Sequence, residues 1–387
     1  MTNKLPSKNN ELVIKPKILV VDYFYPTHDR DAGSLTTFNT LLLLKQMGWS
    51  VSFLAHKSFS GEDRYKQDLI SCGVNVISIP FWMRAKYFFK HLSKNYDVAL
   101  LFRPLVAKQY IKILRESYPN IKIIYHAVDL HFLRMQRESE IKKNRSNFKN
   151  IDRIRKIEFE AFIKSDATIV HSTFESELIS STLPNINIHI WPLILNMQFN
   201  SRGCQSRSGL AFVGNYKHSP NLDAVNYFLK DIFPLILENI PDIVFHIIGS
   251  DMPSELKNIS SKNVNVVGFI DNLEEYLMGM RISISPLRYG AGVKGKIGLS
   301  MATGTPVVAS SLSVEGMDII GEGTIIVADS PQVFSDRVIE LYKNDKLWEK
   351  MHSNCLNFAS KNWGFPRAQE HLAAIFKSIE VNYIQGR

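Results

Sequence analysis

The residues best suited to chemistry cluster between Ile282 and Ser310, in ISISPLRYGAGVKGKIGLSMATGTPVVAS. The apolar run ISISPL predicts a strand. Gly290, Gly292 and Gly295 then make the backbone permissive and allow a ligand to approach it closely. Lys294 and Lys296 stand where a helix begins, Gly304 stops that helix, and TPVVAS predicts a second buried strand. Amides at a helix N-terminus, with two lysines and glycines in front, form an anion site. Its natural ligand is a diphosphate. The segment is not a P-loop, because Ile297 follows Lys296 where that motif needs Ser or Thr. Its position near the end of the chain also separates it from a dinucleotide fingerprint. Alone, such a loop would serve as an ordinary turn; the two lysines and the following GTPVV strand favour the ligand.

Two sets of alternating elements must position this loop. In the first half, KILVVDYF predicts a buried strand from Lys17 to about Phe24, followed by the loop YPTHDRDAGS. A helix from about Leu35 to Met47 ends at Gly48, a C′ glycine, and WSVSFLAH is the next strand. This is a βαβ unit, which implies a parallel sheet with right-handed crossovers. Further strands are expected at Val74–Ile79, Val98–Phe102, Ile121–His126, Ala167–His171 and Ile188–Trp191. The second half repeats the plan with LAFVGN (Leu210–Asn215), a helix over Asn221–Leu237, IVFHIIGS, VNVVGF and ISISPL. The polar, glycine-bearing stretch from Asn200 to Gly209 reads as an interdomain linker.

At 387 residues the chain is too long for one ordinary core. The expected division is a disordered leader over 1–16, an α/β domain over 17–200, a linker over 201–209, a second α/β domain over 210–366, and a C-terminal helix over 367–387. No apolar run approaches the roughly 20 residues that span a bilayer, and the first residues lack a signal-peptide core, so a cytoplasmic protein is expected. Cys72, Cys204 and Cys355 are far apart and lack metal-ligand spacing, as reduced thiols would.

The net charge of +9 is uneven: residues 1–200 carry 28 Lys and Arg against 18 Asp and Glu, whereas residues 201–387 carry 18 against 19. The excess on the first half favours an anionic partner there, a membrane surface or a phosphorylated acceptor; no nucleic-acid motif is present. A solvated basic face without a partner is the alternative. Pro80–Tyr96 places Trp82, Ala85, Phe89 and Leu92 at helical spacing among Arg84, Lys86, Lys90 and Lys94. That pattern suits either an interfacial amphipathic helix or a surface helix covering the core. Arg134–Lys156, with nine Lys and Arg, adds to a basic face.

VVDYFYPTHDRDAGS, YHAVDLHFLRMQRE, FVGNYKHSPNLDA and PLRYGAGVKGK follow one another in an order that resembles the GT-B glycosyltransferases, specifically the large retaining family 4, the glycosyl transferases of group 1. The resemblance runs from about Lys17 to the C-terminus. It implies two Rossmann-like, doubly wound domains facing across a cleft, with ligands at the strand C-terminal ends. It implies glycosyl transfer from a nucleoside-diphosphate sugar to a glycan or lipid-linked acceptor in cell-surface polysaccharide or glycoconjugate biosynthesis. No metal and no cofactor beyond the donor are expected. The enzyme would be cytoplasmic, or peripheral on the inner face of the membrane. Arg288, Gly292, Lys294 and Lys296 would hold the diphosphate, with Asn215, Lys217 and His218 beside it. Gly249 and Ser250 would flank the base, and Phe269 and Ile270 would touch it.

On the acceptor side the resemblance points to Gly33 with Ser34, whose amides either bind an oxyanion or form a βα turn. Asp129, His131 and His126 follow a first-domain strand near the reacting centre; the family's usual histidine position is Val128 here, so His126 or His131 substitutes, or Asp129 serves. Arg134 and Arg137, one helical turn apart, meet acceptor phosphate or solvent. Asp29 and Asp31 spell DxD but read as helix capping and loop pairing, not a metal site. One departure stands out. The Glu-x7-Glu pair of many members, whose second Glu binds ribose, is replaced by Ala291 and Leu299; Glu315 is a candidate ribose or sugar partner or a helix cap. That departure keeps two other classes open: a non-catalytic nucleotide-sugar-binding module, and a sugar-nucleotide 2-epimerase.

Overall fold

The computed structural model describes residues 15–57, 63–80, 83–92, 95–143, 148–195, 202–259 and 261–381. Nearly all of the expected leader, Asn200 and Ser201 of the linker, and Trp82 and Lys94 of the basic amphipathic stretch lie outside these residues. The first domain is a parallel sheet of β1 (Lys17–Asp22), β2 (Ser50–Ala55), β3 (Asn75–Ile77), β4 (Val98–Phe102), β5 (Lys122–His126), β6 (Ala167–Val170) and β7 (Ile188–Ile190). Their order is β3-β2-β1-β4-β5-β6-β7. The second sheet holds β8 (Ser208–Val213), β9 (Phe245–Ile248), β10 (Val264–Gly268), β11 (Met280–Ser285), β12 (Val307–Ala309) and β13 (Ile325–Val327). It is ordered β10-β9-β8-β11-β12-β13.

The strands read as continuous apolar runs because helices cover both faces of each sheet. Ile18, Leu19, Val20 and Val21 of β1 are all fully buried, and their side chains divide between two core clusters on opposite faces. In each sheet the strand order reverses once, between β1 and β4 and between β8 and β11. Crevices form at such switch points. The loop carrying Gly33 leaves β1 and the GAGVKGK loop leaves β11.

The sequence reading omits β13, a three-residue edge strand within TIIVAD whose residues are only partly buried. The expected Asn221–Leu237 helix is interrupted. It runs as Ser219–Tyr227, a π turn over Phe228–Ile232, and Phe233–Leu237. Pro234 lacks the amide that a regular helix would use, and the wider turn absorbs the lost bond. The linker is shorter than expected, because Ser208 already begins β8. Arg207 before it is buried and donates to Thr305 Oγ1 at 3.0 Å and the Thr303 carbonyl at 3.1 Å.

The last helix, Phe365–Ser378, belongs physically to the first domain. Its Ala368, Leu372, Ile375 and Phe376 are buried in the same cluster as Trp49, with Phe376 4.5 Å from the Trp49 ring. The basic amphipathic stretch forms only a short helix, Ala85–His91. Phe89 is buried, and Ala85 and Leu92 pack on the same core. The described part of its apolar face therefore covers the core, as a surface helix would. Among the described residues no helix is long and apolar enough to cross a membrane.

The two domains are fastened across the cleft. Arg137, on helix His131–Ile141, forks onto both carboxylate oxygens of Glu315 at 2.7 and 2.8 Å and donates to the Gly290 carbonyl at 2.9 Å. Ser219 donates to Glu138 at 2.8 Å, and Thr173 to Asp318 at 3.2 Å. The Arg137–Glu315 side chains are only 17% and 24% exposed, so this bidentate pair is poorly screened by water. In a double-mutant cycle of Arg137→Ala and Glu315→Ala, followed by urea unfolding, the coupling energy should be about 1 to 3 kcal/mol. Additive costs would show that the pair does not hold the domains together.

Candidate active site in the interdomain cleft

The second-domain wall of the cleft is built on helix Gly295–Ala302, whose N-cap is Lys294. As first-turn residues, Gly295 and Lys296 have amides with no helical acceptor. Lys294 Nζ is turned onto the Ala291 carbonyl at 3.2 Å and onto the Gly292 carbonyl. Lys296 Nζ donates to Asn221 Oδ1 at 2.6 Å and lies 3.9 Å from the centre of the Phe212 ring. Among the described residues neither ammonium has a carboxylate within ion-pair distance. Burial lowers Lys294 to a pKa of about 8, against the pull of Glu175 and Glu315. Burial, with Lys294 adding repulsion, holds Lys296 well below its ordinary value.

The first domain meets this loop with its own helix start. Asp31 caps helix Ala32–Gln46, accepting from the Ser34 amide at 2.9 Å, while Asp29 accepts from Tyr65 and pairs with Arg64. The DxD thus caps and ties its loop, as expected. A Cβ at Gly295 would come within 2.7 Å of Ala32 Cβ, so the two helix N-termini face each other at close range. Both ends carry positive dipole charge. The contact has no room for a side chain.

Asp129 stands at the same crossing. Gly292, at φ +71°, packs against it, and a Cβ there would lie 3.0 Å from Asp129 Cβ. Its carboxylate accepts from His131 Nε2 at 3.0 Å and Arg134 Nε at 3.1 Å. Burial alone would raise its pKa; Arg134, His131 and Arg103 outweigh burial and hold it well below the usual carboxylate range. Two buried glutamates fix this loop. Glu158 accepts from the His131 and Phe132 amides, each at 2.9 Å, and Glu175 from the Leu130 and His171 amides. Burial pushes both up to about 7.

His126 does not join Asp129 and His131. Its ring is fully buried, stacks on Phe102 at 4.4 Å, and accepts from the Val128 amide through Nδ1. It props the loop from beneath, because the side chain alternates inward at the end of β5. Val128, at the family's histidine position, is a β-branched residue at φ +68°, a strained conformation that marks functional loops. Arg103, absent from the sequence-based set, has φ +73° at the end of β4. It donates to Asp22 at 2.9 Å, and its guanidinium reaches within 3.2 Å of where a Gly33 side chain would stand. Asp22 and Arg103 thus pair at the switch point of the first sheet. The available signal was an Arg between a strand and Pro104.

The remaining second-domain residues divide. Asn215 and Lys217 are engaged with Asp251, at 3.2 and 2.9 Å, and Lys217 is largely exposed. Burial and Arg134 lower the pKa of His218, which lies in the field of the first domain's cleft charges. Arg288 pairs with Asp223 and lies over Tyr227, sharing no contact with Lys294 or Lys296. Glu315 is committed to Arg137. Gly249, at φ +137°, would place a Cβ 1.7 Å from the Gly214 carbonyl oxygen, so close strand packing already requires glycine there. Leu299 packs against the apolar cluster of Ala211, Ile248, Leu277 and Met280, and Ala291 against the first domain's core. No group of three His, Cys, Asp or Glu is placed to hold a metal among the described residues.

Residues 207–344 match the family described as Glycosyl transferases group 1. An uncharacterised 44.6 kDa protein in the cps region of Klebsiella pneumoniae is 27% identical over 175 residues, which span 43% of this chain and 44% of that protein. Sucrose-phosphate synthase from Thermosynechococcus elongatus superposes with a TM-score of 0.73 at 13% identity, covering 95% of this chain and 99% of that one. Anabaena Alr3699/HepE in complex with UDP superposes with a TM-score of 0.63 at 10% identity, covering 94% and 100%. At these identities the superpositions speak for the fold. The chain has the two-domain GT-B architecture, and residues 207–344, most of its second domain, match the glycosyl transferases of group 1.

Proposed function

We propose that this protein transfers a glycosyl unit from a nucleoside-diphosphate sugar to a glycan or lipid-linked acceptor, with retention and without a metal. The observation that carries the reading is the pair Lys294 and Lys296 at a helix N-terminus, half-buried with no carboxylate within ion-pair distance where the second domain meets the first. A leaving diphosphate develops negative charge, which fixed cations and amides stabilise best in a site that excludes water. In the transfer, the bond from the anomeric carbon to the diphosphate breaks and a bond to an acceptor hydroxyl oxygen forms on the same face. The hydroxyl proton passes to the departing phosphate. Asp129, kept ionised by Arg134 and His131, would orient the sugar or the acceptor hydroxyl at that point. Two features support a role in surface polysaccharide: the cps-region relative, and the basic excess of the first half. The basic excess fits an anionic membrane surface or a phosphorylated acceptor.

A second reading, a non-catalytic nucleotide-sugar-binding module, is favoured by one observation: Leu299 and Ala291 are packed into apolar surroundings and offer ribose no carboxylate. Product analysis with donor and candidate acceptors separates the two, and donor turnover without acceptor would indicate an epimerase.

Thermal shift against a panel of nucleoside diphosphates and their sugars should show stabilisation by one base class, unchanged by EDTA. Ligand at a hundred times Kd adds about 2.7 kcal/mol. The shift should vanish in Lys294→Ala/Lys296→Ala; an equal shift in that variant would remove the lysine pair from the site. A pH dependence follows from Lys294. A bound diphosphate raises its pKa from about 8. Above that pH binding must take up a proton, so affinity falls as pH rises from about 8 to 10, approaching tenfold per unit for one proton. Calorimetry at pH 9 in two buffers should report proton uptake; net release would contradict the assignment.

A further inference from the structure

An interdomain cavity of about 520 Å³ lies on the hinge side, beside Pro192, Leu193 and Trp363 where the chain crosses between the domains, and contains none of the residues assigned above to the donor. Its volume is in the range of small-molecule sites. On the first-domain side it is bordered by His171 at the end of β6. On the other it is bordered by Asp318, by Asn357, Phe358 and Lys361 of helix Asp345–Asn362, and by Trp363.

His171 is 9% exposed. Its Nδ1 lies 3.2 Å from the Trp191 carbonyl, which accepts only, so Nδ1 carries the proton. Nε2 is left as a lone-pair acceptor with no partner among the described residues, although it is not sealed from solvent-sized space. Burial lowers the imidazole pKa to about 4, so the ring is neutral at physiological pH. A buried neutral acceptor facing a cavity calls for a hydroxyl or amide donor. Asn357 and Lys361 stand exposed at the rim, where their amide and ammonium can turn toward a ligand. Asp318, strained at φ +52°, uses one oxygen on Thr173. Trp363 and Phe358 sit edge to face, 5.3 Å apart, and give the same wall an apolar patch. The lining carries both charge signs, unlike the all-cationic phosphate loop.

Acceptors, donors and aromatic surface together, without one dominant charge, match an uncharged ligand with hydroxyls around an apolar ring face. We propose that the hinge-side cavity binds a neutral saccharide unit, with His171, Asn357 and Lys361 on its hydroxyls and Trp363 and Phe358 against its ring. Its purpose, holding a sugar of the acceptor glycan, rests on the glycosyl-transfer reading; its chemistry does not.

The chain has five tryptophans, which makes fluorine NMR of the 5-fluorotryptophan protein a local probe. Methyl glycosides of glucose, galactose and mannose, and N-acetylglucosamine, are titrated into the full chain, with resonances assigned by single Trp→Phe substitutions. At least one probe should shift the Trp363 signal, and Asn357→Ala/Lys361→Ala, at the cavity rim, should weaken that binding at least tenfold. His171→Phe should do the same while leaving UDP stabilisation intact. If no probe moves Trp363 while UDP still binds, or if the rim variant binds as well as the parent, the cavity proposal is overturned and the donor site stands. If the sugar-induced shift appears but no nucleoside diphosphate binds, the cavity is upheld and the transfer reading falls instead.

Discussion

Two half-buried lysines without a carboxylate at ion-pair distance set the terms for the rest of this structure. A charge moved into a poorly solvated place carries a penalty of several kcal/mol unless something offsets it. Lys294 and Lys296 offset it with carbonyls, an amide oxygen, the face of Phe212 and the more distant charges of Glu175 and Glu315. Two helix N-termini add positive potential at the same place. On the proposed reading, an anionic ligand would supply the balancing charge.

Holding that site together requires close approach between domains, and the glycines provide it. Gly292 meets Asp129, Gly295 meets Ala32, and Gly316 meets Ser172, each so closely that a Cβ would collide or press. At each crossing the second domain supplies the backbone and the first supplies the side chain. The Arg137–Glu315 fork closes the same seam through charge. Beneath it, Glu158 and Glu175 each satisfy amides around the Asp129 loop, and so fix Asp129 without touching it. The strain at Val128 and Arg103 persists because these supports over-determine the loop.

The fold was legible because apolar runs, C′ glycines and βαβ alternation are local signals. Twelve of the strands and the glycine loop between β11 and its helix follow from them; the three-residue β13 is too short to show a period. Pairings between distant residues were not legible. Glu315 and Arg137 are 178 residues apart in sequence, and each looked available for a ligand until the fold joined them. Lys217 and Asp251, and Arg288 and Asp223, follow the same pattern. His126 misled for a different reason: a histidine ending a strand reads alike whether its ring turns to the cleft or the core, and only the parity of β5 decides.

Leu299 shows how far the cationic loop stands apart from the ribose-binding pair that often accompanies it. Had a polar side chain at this position been lost recently to an exposed site, Leu299 would project apolar surface into the cleft. Instead it packs with Ala211, Ile248, Leu277 and Met280, beside Val213 and Ile270, so the helix face is built around a hydrophobic residue. A carboxylate there would be desolvated among these groups and costly. The lysine pair proposed to meet phosphate is untouched by that exchange, because Lys294 and Lys296 come from the helix start and Leu299 from its opposite turn. On the proposed reading, phosphate binding and ribose binding are therefore separable in this domain, with the two lysines carrying the first.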